Sequence, residues 1–163
     1  MPLVGDKLYS QDDKVNIPRS TYDQCVQYIV SELDDIKDSL RLDPVLATDL
    51  GRITQGAALS LKSRVLLYAA SPLNNPGNDQ RKWQAAADAA KAVIDLGKFS
   101  LVSGFVSVFV NRQNNEVILA HQRAQTQDVE RNNAPVGYAV PNESQGYVSP
   151  TQELVDAFPM KNG

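Results

Sequence analysis

The stretch Gly56-Ala57-Ala58-Leu59-Ser60-Leu61-Lys62-Ser63-Arg64-Val65-Leu66-Leu67-Tyr68-Ala69-Ala70 constrains this chain more than any other. In a helix running from Thr54 to Ala70 it is apolar on most sides. Such a helix is normally buried against several neighbours. Its small residues let another backbone come close. A fold built on this segment surrounds it with further helices, and the rest of the chain has to supply them.

It does so on both sides. Tyr22, Cys25, Val26, Ile29, Leu33, Ile36 and Leu40 recur at spacings of three and four, which predicts a helix over 21–40 with one apolar face. Thr21 and Gln24 have the spacing of a capping box, in which a hydroxyl and an amide each satisfy an unpaired N–H. Trp83, Ala86, Ala87, Ala90, Val93 and Ile94 predict a third helix over 81–96, and Gly97 is placed to end it in the left-handed conformation. Between the second and third helices, Ser71-Pro72-Leu73-Asn74-Asn75-Pro76-Gly77-Asn78 is a loop dense in turn formers. Thr54 lies 32 positions after Tyr22, near the roughly 34-residue period of tetratricopeptide repeats. Single repeats cannot bury their apolar faces, so stacked helical pairs are the implied core.

The remainder is more mixed. Residues 1–19 are a polar lead-in, and 41–53 a connection containing Pro44 and Gly51. Phe99, Leu101, Phe105, Val106, Phe109 and Val110 supply apolar anchors around Gly104. Glu116-Val117-Ile118-Leu119-Ala120 has the β-branched character of a short strand. Residues 121–148 are polar and turn-rich, and a loop that long is usually functional or disordered. A last helix is expected over 150–158, with Ser149 as N-cap and Gln152 completing its capping box. The fold class read from these patterns is mainly α, stacked helical pairs of tetratricopeptide type in one domain, with long irregular loops and a short β element.

Composition removes several function classes. Net charge is −3, so neither nucleic acid nor an anionic membrane is a favoured partner, because both would call for a basic face. No apolar run reaches the length of a membrane span. Cys25 is the one cysteine, so an intrachain disulfide is impossible. On the apolar side of its helix it reads as a small buried hydrophobe. His121 is the one histidine and supports neither a metal cluster nor a catalytic triad; it reads as the end of the strand. Asp34 and Asp35 are adjacent on a helix and do not share a face, so they are solvated carboxylates and not paired acids. Phosphate loops, nucleophile elbows and zinc spacings are missing, so neither an enzyme nor a cofactor is expected.

Several segments resemble one known family. Gly51-Arg52-Ile53-Thr54-Gln55-Gly56 through Ala70-Ser71-Pro72 is similar to the helix that marks SusD/RagB-like proteins. So is Trp83-Gln84-Ala85-Ala86-Ala87-Asp88 through Gly97-Lys98-Phe99-Ser100-Leu101. Asn115-Glu116-Val117-Ile118-Leu119 resembles the family's short strand, and Pro150-Thr151-Gln152-Glu153-Leu154-Val155-Asp156-Ala157-Phe158 the opening of its C-terminal half. Ile17-Pro18-Arg19-Ser20-Thr21-Tyr22 fits as well. These motifs stand in the family's order across nearly the whole chain. The resemblance implies a non-catalytic protein, lipid-anchored on the outer face of the outer membrane. Such proteins capture an oligosaccharide, or sometimes a peptide, and pass it to a SusC-like TonB-dependent transporter. It also implies that this chain is an internal fragment, without the lipid anchor and with only part of the binding site, or none of it. Weak or absent sugar binding by the isolated chain is the corresponding expectation.

Within the chain, Tyr138 and Tyr147 are the expected ligand-binding aromatics. They lie outside any helical phase in the 121–148 segment, near Arg131, Asn132 and Asn142. A sugar site needs an aromatic platform for the C–H face of a pyranose, with amides and guanidinium groups for its hydroxyls, and loops are where such groups gather. An ordinary surface loop would use the same residues. Trp83 and Tyr68 are in helical phase and read as packing residues. The Asn74–Gly77 loop is a weaker candidate, because any turn uses those residues. The competing function is a tetratricopeptide-like scaffold that binds protein; a hydrolase would need a catalytic constellation that the sequence lacks.

Overall fold

The structure is a computed structural model of the chain, and it describes residues 1–43, 46–122, 124, 126–136, 146–147 and 149–159. The chain forms two compact units, residues 1–121 and residues 122–163. It is mainly helical.

In the first unit, α1 spans Tyr22–Ile36 and runs on into a 3₁₀ turn, Lys37–Ser39. Its start is the capping box expected from sequence: Thr21 Oγ1 accepts from Gln24 N at 3.2 Å and Gln24 Oε1 accepts from Thr21 N at 2.8 Å. A second 3₁₀ turn covers Ala47–Asp49. Helix α2 spans Gln55–Ala70, with Thr54 as N-cap accepting from Ala57 N at 3.2 Å. Helix α3 spans Gln80–Asp95 and is capped by Asp79. Gly97 follows it with φ +61°, the left-handed geometry that needs no Cβ. A short α4, Phe105–Val110, lies where the sequence showed only scattered apolar anchors.

Helix α2 is the shared element, packed on α1 and most extensively on α3. The reason is its small side chains. Ala57, Ala58, Ala69 and Ala70 of α2 are buried, as are Ala86 and Ala89 of α3. Methyl groups let the helix backbones approach closely. Charged pairs add to the seam. Lys62 Nζ of α2 lies 2.7 Å from Asp34 Oδ2 of α1, and Lys82 Nζ of α3 lies 3.2 Å from Asp23 Oδ1 of α1. The expectation that α2 is enclosed on most sides holds only toward these neighbours. Leu61, Leu67 and Tyr68 remain exposed, because none of the described elements covers their side. Cys25 is half-buried and not fully buried, with Sγ 3.8 Å from Met1 O.

Residues 116–120 do not form the expected strand. The β element among the described residues is one parallel bridge, Arg41 to Thr54. The cause is local: Asn114 Oδ1 accepts from both Glu116 N (3.0 Å) and Val117 N (3.1 Å), which takes the first two donors a ladder would use. His121 consequently ends no strand.

In the second unit, part of the expected 121–148 loop is helical: α5 spans Asp128–Asn133. Helix α6 spans Gln152–Asp156, and its N-cap is Thr151 and not Ser149. Thr151 Oγ1 accepts from Leu154 N at 3.3 Å, so the cap lies two residues later than expected. Two hydroxyls compete at this helix start, and the one whose backbone is extended immediately before the first turn takes the role.

Candidate functional site

The second unit brings three of the expected ligand-binding residues together. Thr126 Oγ1 accepts from Asp128 N at 3.4 Å at the start of α5. Arg131 and Asn132 lie in the last turn of that helix, and both are exposed. The chain then returns to the end of the helix. Gly146 N donates to Ala134 O at 3.1 Å, and Tyr147 N donates to Asn132 O at 2.8 Å. Gly146 has φ +60°, and this left-handed residue lets the backbone meet the helix end. Tyr147 therefore stands beside Asn132 with its side chain 73% exposed. Asn133 is exposed on the same turn. Tyr138 and Asn142 lie outside the described residues.

Chemically this is an open aromatic surface, fixed by a backbone bond to a helix turn that carries two amides and a guanidinium. Such a surface presents an apolar face and several hydrogen-bonding groups to solvent. Helix α5 itself was not foreseen. At six residues it is too short for a periodic signal, and the closeness of Asn132 to Tyr147 is a tertiary fact.

In the first unit, the Asn74–Gly77 loop is committed to holding the fold. Asn75 is 6% exposed. Its Nδ2 donates to Ala70 O (3.3 Å) and Asp79 O (3.1 Å), and its Oδ1 accepts from Asp79 N (2.8 Å). The amide thus ties the end of α2 to the start of α3, with little capacity left for a ligand. Trp83 is half-buried and donates its indole N–H to Asn78 Oδ1 at 2.9 Å. That bond steadies a residue with φ +50°, a packing role like the one read from sequence. Tyr68, read as a packing residue too, is instead 63% exposed. Next to the loop, Asp79 makes a two-pronged contact with the Arg81 guanidinium, which holds its carboxyl down at about 2.

Sequence reasoning missed a groove of about 550 Å³ in the first unit, between α1, α2 and residues 116–119. Leu33 and Ile36 of α1, Leu61 of α2, Ile53 and Val117 give it an apolar lining, and Arg64 lies at it. The all-round apolar character of α2 was the available signal. Among the described residues, no group of three or more His, Cys, Asp or Glu could hold a metal ion. No described helix is long and apolar enough to cross a membrane.

Comparison with known proteins identifies a relative of this architecture. Over 98% of its length the chain matches the crystal structure of a SusD-like protein from Bacteroides fragilis NCTC 9343, with 28% sequence identity and a TM-score of 0.71. The match covers 31% of that protein's chain, so these 163 residues span about a third of the length of the structure they resemble. No family model matches the chain, and no curated protein does.

Proposed function

We propose that this chain, which is similar to a SusD-like protein over 98% of its length, serves as the helical scaffold, with one ligand-contacting loop, of a non-catalytic carbohydrate-binding protein. The observation that carries the reading is the match to a SusD-like protein along nearly the whole chain, at 28% identity. Two of the motifs that resemble the SusD family fall on α2 and α3, the helices that pack most extensively in the first unit, and a third falls on α6.

In this reading an oligosaccharide stacks a pyranose face on Tyr147, while Arg131 and Asn132 meet its hydroxyls; Tyr138 and Asn142 belong to the same segment and complete the set. Rings stack on the C–H face of sugars because that face is apolar, and planar amides and guanidinium groups bond paired hydroxyls. The assembled protein is anchored by lipid to the outer face of the outer membrane and hands its ligand to a SusC-like TonB-dependent transporter. It needs no cofactor and turns nothing over.

The test is titration calorimetry with a panel of oligosaccharides on the polypeptide that carries this segment at the length of SusD-like proteins. Saturable binding with unchanged sugar is the expected result. Binding of a protein or peptide partner without any sugar would favour a tetratricopeptide-like scaffold. Release of shorter sugars would make the protein a hydrolase.

A further inference from the structure

We draw no further inference here: the strongest candidate, the apolar groove of about 550 Å³ between α1, α2 and residues 116–119, is an open face of the first unit, and nothing in the structure shows what covers it.

Discussion

Asp43 reaches across the turn before α2 and places its Oδ2 2.9 Å from the backbone N of Gly56. The carboxylate satisfies an N–H in the first turn of the helix and puts negative charge at its positive end. The contact is close because Gly56 has no side chain. A Cβ built there would fall 2.6 Å from Asp43 Oδ2 and 2.6 Å from Phe99 Cζ. One glycine thus joins three parts of the first unit: the turn before α2, α2 itself, and the segment after α3.

Gly56→Ala is accordingly expected to destabilise the chain by roughly 1–3 kcal/mol, despite the better helix propensity of alanine, because the added methyl overpacks the site. Gly77→Ala is the control, since nothing lies within 4 Å of its added Cβ. Urea unfolding of both variants should show a clear fall in midpoint for the first and almost none for the second.

Asn75→Ala leaves Asp79 N–H and two carbonyls without the partner that the buried Asn75 amide supplies. The expected cost is about 1–3 kcal/mol. Asn74→Ala loses one exposed bond to Tyr68 O and should cost under about 1 kcal/mol in the same measurement.

Acid should loosen the α1–α2 seam. The hydrogen bond from Lys62, backed by Lys37, lowers the Asp34 carboxyl from its ordinary 3.8. A carboxylate lowered in the folded state adds stability that is complete above its unfolded value and is lost as pH falls through its folded value. The Asp34 contribution is therefore intact at neutral pH and disappears below 3.8. Asp34→Asn should flatten that part of the stability–pH curve. Because the side chain is 37% exposed, solvent screening keeps the effect small. A curve that is unchanged between wild type and variant would remove this pair from the seam's energetics.

Tyr147→Ala should leave the unfolding free energy within about 0.5 kcal/mol of wild type, as read by urea unfolding, because the ring is open to solvent. Its bond to Asn132 O runs through the backbone and survives the substitution.

Much of the helical frame was legible because its signals are local. The Thr21–Gln24 box, the Thr54 cap and the left-handed Gly97 each involve residues within one turn. The misreadings arise where structure depends on distant partners. Glu116–Ala120 has strand composition, yet a strand exists only against another strand, and Asn114 takes its first donors. Tyr68 has helical phase, but phase cannot say whether a neighbour covers that face, and it stands exposed. Helices α4 and α5 are each six residues long, under two turns, and show no period. For the candidate site, Arg131, Asn132 and Tyr147 could be picked out as loop chemistry. That Asn132 and Tyr147 share a hydrogen bond required the fold.

The most direct test is calorimetric titration of the SusD-length polypeptide, wild type and Tyr147→Ala, with the oligosaccharide that binds best. The account predicts saturable binding that weakens about tenfold or more in the variant, a loss of about 1.4 kcal/mol, with the fold intact. Undiminished affinity in the variant would contradict the assigned site, and absence of any oligosaccharide binding by the wild type would contradict the carbohydrate-binding role itself.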